Sequence, residues 1–343
     1  MTALADAIRS LAAGQPVSRD SARAAFDEIM SGDAPEVQIA AFLMGLVMRG
    51  EDVDVVTAGA EVLRARGQQL VAPPGAVDTC GTGGDGHGTY NISTAAAIVA
   101  AACGVPVAKH GNKAVSSKSG SADVLERLGV VLELPVAQVQ ACLDEIGICF
   151  LLAPSFHNAM RHVAPVRHGL GIRTIFNVLG PLSNPAGTRR QVIGVYDPVW
   201  LEPLAQTLRA LGSERVWVVH GSDGLDELTV TGETDVAALE VDGSVRRFRV
   251  TPEDAGLARH PIGDLLGGTA DENAYALTAL LAGAPSAYRD IVLLNAAATL
   301  LVADRVDDLR AGAAMAAAVI DSGAARGLLD RWAAFTQREG NDG

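Results

Sequence analysis

The chain has 343 residues, 49% hydrophobic and 20% charged, which excludes wholesale disorder and allows a core that needs neither disulfides nor a structural metal. Aromatic residues make up only 4%, so the apolar content is mostly Ala, Val and Leu, a balance that favours helices packed on a sheet over an aromatic-rich sandwich. Lys plus Arg number 27 against 40 Asp plus Glu, a net charge of −13, which argues against sequence-independent nucleic-acid binding; any phosphate bound here must sit in a local pocket of amides and a few cations.

The first seventy residues predict helices. Leu4, Ile8 and Leu11, then Ala25, Phe26, Ile29 and Met30, recur at helical spacing. Asp33-Ala-Pro-Glu36 reads as a helix start with an acidic cap. The helix it opens, 37–48, is apolar on most faces and must bury against a second domain or a partner subunit. Another helix spans 53–66 and stops at Gly67, and the Pro-Pro-Gly segment 71–75 marks a boundary.

From Ala76 strands and helices alternate. Strands are predicted at 77–79, 105–108, 130–134, 149–152, 191–196 and 216–220. Helices are predicted at 93–103, 122–128, 136–146 and 201–211. This texture argues for helices covering a mostly parallel sheet. Residues 155–184 break the rhythm as a helical, basic excursion, and 229–234 with 241–250 read as hairpin material. From about Asn273 the chain is helical and rich in alanine.

The longest apolar stretch, 95–108, contains Gly104 and Pro106 and falls short of the roughly 20 residues that span a bilayer, so no membrane partner is expected. Cys80, Cys103, Cys142 and Cys149 form no Cys-x-x-Cys pair, and the amino-terminal segment lacks a basic-then-apolar signal pattern; a reduced, cytoplasmic protein is expected.

Three polar segments can carry chemistry. Gly81-Thr-Gly-Gly-Asp-Gly-His-Gly88 follows a strand and precedes a helix opening at Asn91-Ile-Ser-Thr94, the arrangement of a phosphate cradle. It is neither a Walker A loop nor a dinucleotide fingerprint. The second segment, 109–121, offers three lysines and several hydroxyls at the same sheet edge, with the lysines read as mobile point charges for a polyphosphate. A solvated loop is the plain alternative for a lone lysine-rich stretch. The third is Asp226-Glu227, after a strand and the loop 221–224. A surface acidic pair is the commoner meaning, but opposite two phosphate loops the pair suits Mg²⁺.

Taken in order, Gly81-Thr-Gly-Gly-Asp85, Asn91-Ile-Ser-Thr94, Lys109-His-Gly-Asn112, Ser116-Ser-Lys-Ser-Gly120 and Asp226-Glu-Leu-Thr229 resemble the anthranilate phosphoribosyltransferase family over nearly the whole chain. The resemblance implies a nucleoside-phosphorylase-type α/β fold. A small all-helical domain (1–72, with a helical return around 165–185) would join a large α/β domain (73–164 and 186–343) with a mostly parallel central sheet. It implies transfer of the phosphoribosyl group of 5-phosphoribosyl 1-pyrophosphate to anthranilate, giving N-(5-phosphoribosyl)anthranilate and pyrophosphate. That is the second step of tryptophan synthesis from chorismate. Mg²⁺ is the implied cofactor and a homodimer through the helical domain the implied assembly.

Carried over by position, Gly81, Gly84, Asp85, Thr89, Asn91, Ile92, Ser93 and Thr94 would hold the phosphoribosyl pyrophosphate. Lys109, His110, Gly111, Asn112, Lys113, Ala114, Val115, Ser116 and Ser117, with Ser121, would continue that cradle. Ser93, Asp226 and Glu227 would bind the metal. Asn112, Arg167 and Gly81 would face anthranilate, with His110 and His157 nearby. Arg167 also makes chemical sense alone, since a guanidinium pairs with a carboxylate. Lys113 stands where the commonest family pattern has Arg; the charge survives and the bidentate fork is lost. Anthranilate's amine is neutral, so positioning outweighs any single general base. A pyrimidine nucleoside phosphorylase shares the fold and a glycine-rich loop, but Asp85 and the motifs at 91–94 and 109–112 favour the transferase; against a related phosphoribosyltransferase with a different acceptor stand Asp226-Glu227 and Arg167.

Overall fold

Four helices open the chain: α1 (Ala3–Ala12), α2 (Arg19–Ser31), α3 (Glu36–Arg49) and α4 (Val53–Arg66). The structure is a computed structural model that describes residues 2–114 and 118–338. Thr2, Ser18 and Asp52 cap α1, α2 and α4, each side-chain oxygen accepting from the backbone amide three residues on. The acidic cap expected at Asp33 does not form. Pro35 occupies the cap position of α3, and the Asp33 carboxylate instead takes the Ser31 hydroxyl at 2.7 Å.

The sheet-forming part follows with β1 (Val77–Gly81), α5 (Ile92–Ala102), β2 (Val107–Gly111), α6 (Ser121–Arg127), α7 (Val136–Ile146) and β3 (Ile148–Leu152). The strand expected at 130–134 is absent. Val130 and Leu132 are buried, which produces the strand-like alternation, but β3 occupies the place beside β2, and the Val131 amide donates to Thr336 Oγ1 at 3.0 Å instead of to a ladder.

The excursion folds as α8 (Ala153–Phe156), a 3₁₀ turn (Asn158–His162), α9 (Ala164–Leu170) and α10 (Phe176–Leu182). It returns to the opening helices, where Phe26 meets Phe42 and Phe176 edge-on at 5.5 and 6.1 Å. Then come β4 (Arg190–Gly194), α11 (Leu201–Ala210), β5 (Arg215–Gly221), β6 (Thr234–Leu239) and β7 (Val245–Val250). Residues 229–233 are not strand: the Thr229 and Thr231 hydroxyls both donate to Asp223 Oδ2, at 2.6 and 2.7 Å, and tie the loop into a knot before β6. Helices α12 (Ala270–Leu281), α13 (Ala287–Val302), α14 (Leu309–Asp321) and α15 (Ala324–Thr336) complete the chain.

The seven strands lie in the order β3-β2-β1-β4-β5-β6-β7, with β1 to β5 parallel and the last two antiparallel. Side chains alternate between two cores. Val192, Trp217 and Val219 face α5, α7 and the carboxyl-terminal helices. Ile193, Val216 and Val218 face α11, the opening helices and the excursion. The chain lays β2 and β3 on one side of β1, then returns to lay β4 on the other. The crevice past the carboxyl ends of β1 and β4 is therefore the switch point, where ligands of such sheets bind.

Candidate functional site

Gly81 and Gly194 are register partners at the carboxyl ends of β1 and β4. A Cβ on either would run into Asp226, so two glycines clear the floor on which the acidic loop rests. From that floor opens a cavity of about 750 Å³, walled by the glycine-rich loop, the start of α5, the end of β2 and the excursion.

The glycine-rich loop is held at several points. The Gly83 amide donates to Asp226 Oδ2 at 2.7 Å, the His87 amide to Asp85 Oδ1 at 3.2 Å, and the Arg173 guanidinium to the Gly84 carbonyl. Arg173 also lies over the Tyr196 ring, 4.0 Å from its centre. Gly83, Gly84, Gly86 and Gly88 have positive φ, which lets successive amides turn toward one concavity. The adjoining segment is braced from behind: Asn273 Nδ2 donates to Asn91 Oδ1 at 2.9 Å, and the Tyr288 hydroxyl to the Asn91 carbonyl at 3.2 Å. Thr89, Ile92 and Thr94 line the same wall.

Lys109 and His110 belong to strand β2, not to the loop after it. Lys109 is only 2% exposed, and its ammonium donates to the Thr79 carbonyl and, at 3.3 Å, to Ser93 Oγ. It is a fixed internal cation, which corrects the expectation of a mobile point charge. Beneath it lies buried Asp78, which accepts from the His110 amide at 3.0 Å and from Asn184 Nδ2 at 2.8 Å. Burial pushes the Asp78 carboxyl up, and Lys109 partly offsets this. His110 Nδ1 donates to the Gly180 carbonyl at 3.1 Å, and its ring meets His157 edge-on at 5.3 Å. Burial, then His157, lowers the His110 pKa to about 3, and burial lowers that of His157 as well. Both rings are neutral.

Past β2, Asp123 Oδ2 accepts the amides of Ala114 and Gly120 at 2.9 and 2.8 Å and closes the loop. The Asn112 carbonyl accepts from Ser121 Oγ at 3.3 Å. Gly111 lines the cavity, whereas the Lys113 ammonium is paired with Glu126 at 3.0 Å. Val115, Ser116 and Ser117 lie outside the described residues.

Asp226 and Glu227 complete the cluster. Glu227 Oε1 accepts from the Ser93 amide at 3.1 Å, so the acidic pair spans the glycine-rich loop and the start of α5. Both carboxyls titrate well above the usual range. Burial is the main cause for each, followed by the charge of Asp85 on Asp226 and of Asp226 on Glu227; Lys109 opposes the shift at Glu227. Among the described residues no three His, Cys, Asp or Glu side chains converge on one point. A crowded pair of hard oxygen donors beside a hydroxyl fits a divalent cation that takes its remaining oxygens from a ligand and water.

The other end of the cavity is different. Arg167 of α9 lies 5.7 Å from the centre of the Phe176 ring, and among the described residues no carboxylate pairs with it. Burial lowers its pKa. Asn177 and Met160 share this end.

The helical-bundle profile of the glycosyl transferase family matches residues 5–67, and the family's α/β-domain profile matches residues 73–326. Anthranilate phosphoribosyltransferase of Azorhizobium caulinodans is 55% identical over 330 residues, 96% of each chain. The chain belongs to the anthranilate phosphoribosyltransferase family. Among solved members, that of Thermus thermophilus superposes with a TM-score of 0.92 at 44% identity, covering 97% of this chain and 100% of its own. That of Saccharomyces cerevisiae, solved with PRPP and Mg, gives 0.89 at 28% identity, covering 97% of each.

Beside the residues that motif reading singles out in this member of the anthranilate phosphoribosyltransferases stand Arg173, Tyr196, Asn184 and Asn273. None lies in a glycine-rich or acidic motif. The basic excursion holds Arg173 and its closing segment 177–185 holds Asn184, whereas Tyr196 and Asn273 stand in no motif.

Proposed function

We propose that the protein transfers the phosphoribosyl group of 5-phosphoribosyl 1-pyrophosphate to the amine of anthranilate, releasing N-(5-phosphoribosyl)anthranilate and pyrophosphate, as in tryptophan synthesis. One observation carries the reading: a single cavity joins a donor-rich, carboxylate-flanked end to an end where the Arg167 guanidinium lies beside an aromatic ring and, among the described residues, has no carboxylate partner.

The donor's phosphates and ribose would lie against Gly81, Gly84, Asp85, Thr89, Asn91 to Thr94, Asn112 and the loop that ends at Ser121. Asp226, Glu227 and the Ser93 hydroxyl would hold Mg²⁺, which when bound offsets the negative charge of the departing pyrophosphate. Lys109 keeps that hydroxyl oriented. Arg167 would take the anthranilate carboxylate, and Phe176, His110 and His157 would flank the ring.

Cleavage at the anomeric carbon builds positive charge on the sugar and negative charge on the leaving group. The glycine-rich loop is tied at Gly83 and Gly84 before the ligand arrives, so its amides not already bonded within the protein would meet the leaving group without reorganising. Arg167 anchors the acceptor so that its neutral amine faces the anomeric carbon. With His110 neutral and its Nδ1–H spent on Gly180, its ring adds no positive charge against that growing on the ribose. The amine's proton then leaves to solvent or to pyrophosphate.

We take residues 1–72, with the return at 165–185, as the helical unit, and 73–164 with 186–343 as the α/β unit. Helix α3 exposes Val37 and Met48, at 75% and 81%, together with Val47. A second copy of the chain would cover this face and make a homodimer. No helix of the described residues is long and apolar enough to cross a membrane, and the four thiols are unbridged. Both facts fit a cytoplasmic enzyme. The test is stoichiometry: one pyrophosphate released for each anthranilate consumed supports the reading, and pyrophosphate release that proceeds only with a different amine overturns it.

A further inference from the structure

Asn295 stands in the middle of α13, in an apolar run, and is 3% exposed. A buried amide among Leu, Val and Ala is costly unless it is bonded. Here each of its polar atoms is engaged. Oδ1 accepts from the Leu228 amide at 3.1 Å, and Nδ2 donates to the Leu228 carbonyl at 2.8 Å and to the Ile291 carbonyl at 2.9 Å. The side chain thus pairs with both polar groups of one residue, as a neighbouring strand would. That residue directly follows Glu227.

An apolar side chain at 295 would serve the helix as well, but it would leave the Leu228 amide and carbonyl unpaired in the core. The Asn therefore serves the loop. On its far side the loop is tied by Asp223 to Thr229 and Thr231. On its near side Asp226 and Glu227 reach the Gly83 and Ser93 amides. Asn295 is the fixed point between them, anchored in the longest helix of the α/β part.

We infer that Asn295 is a positioning residue for the Asp226–Glu227 pair, holding both carboxylates at the phosphate end of the cavity through the backbone of Leu228. The inference rests on the function proposed above. It predicts a selective defect, because partners that orient metal-binding side chains typically matter roughly 10- to 100-fold in affinity or activity.

The test uses Asn295→Leu and Asn295→Ala in the full chain, with Thr299→Val as a control. Thr299 is buried one turn further along the same helix, and its hydroxyl donates to the Asn295 carbonyl without touching the loop. The expected result is a rise of roughly 10-fold or more in KM for phosphoribosyl pyrophosphate, with KM for anthranilate within about twofold. Calorimetric binding of pyrophosphate with Mg²⁺ should weaken by a like factor, while Thr299→Val lowers thermal stability and leaves both values unchanged. A folded Asn295 variant with the wild-type donor KM and pyrophosphate affinity overturns the inference. Should neither variant fold, hydrogen exchange of the wild-type Leu228 amide decides: protection equal to that of the α13 core supports the inference, and exchange as fast as at 222–224 overturns it. A wild-type protein that binds pyrophosphate with Mg²⁺ but transfers nothing to anthranilate refutes the proposed function, while the binding comparison still tests Asn295.

Discussion

The Gly83 amide donates to the Asp226 carboxylate at 2.7 Å across 143 residues of sequence. This bond joins the loop after β1 to the loop after β5, and it forms only because Gly81 and Gly194 leave the space between them open. The site is built on backbone clearance as much as on side-chain chemistry.

Gly194→Ala tests that clearance. Its Cβ would overlap the Asp226 backbone, so the acidic loop must move. The expected cost is about 1–3 kcal/mol of stability, read by chemical denaturation, together with a marked loss of donor affinity. Unchanged affinity for phosphoribosyl pyrophosphate would show that the loop tolerates the shift.

Arg167→Gln should separate the two ends of the cavity. Losing a charge-assisted contact of about 1.5–3 kcal/mol corresponds to roughly a 10- to 150-fold rise in KM for anthranilate. The donor KM should stay near wild type. A rise in the donor KM alone would place Arg167 at the phosphate end.

Arg173→Ala removes the bond to the Gly84 carbonyl and the contact with Tyr196. The residue is exposed, so the fold should survive. Initial-rate kinetics should show the donor KM raised several-fold, with partial recovery in Arg173→Lys.

His110 sets a pH dependence of stability. Its folded-state pKa is depressed to about 3, below the ordinary value near 6.5. The unfolded chain therefore binds the extra proton first. This contribution is fully present above pH of about 6.5 and is lost as pH falls from there toward 3, at up to about 1.4 kcal/mol per pH unit. Denaturant unfolding between pH 7 and 5 should show a shallower loss in His110→Gln than in wild type. Because no single base is required, His110→Ala should retain measurable turnover.

The loops were legible because glycines, hydroxyls and carboxylates cluster locally. Helix ends were legible where Gly67 and Gly147 stop α4 and α7. Lys109 and His110 read as loop because a lysine inside a buried strand looks unfavourable until Thr79 and Ser93 supply its acceptors from distant sequence. The segment 130–134 read as a strand because its burial alternates, yet pairing depends on a free neighbour and β3 takes that place. Arg173 was legible only as one charge of the basic excursion, and Asn295 not at all, for the same reason. Their meaning lies in Gly84 and Leu228, 89 and 67 residues away.

The most direct test of the central claim follows the fluorescence of anthranilate mixed with the pure protein, phosphoribosyl pyrophosphate and Mg²⁺. The expected decay needs all three additions and falls at least about tenfold in Asp226→Asn combined with Glu227→Gln. Folded wild-type protein that leaves anthranilate unconsumed with Mg²⁺ present, or a double variant as fast as wild type, would contradict it.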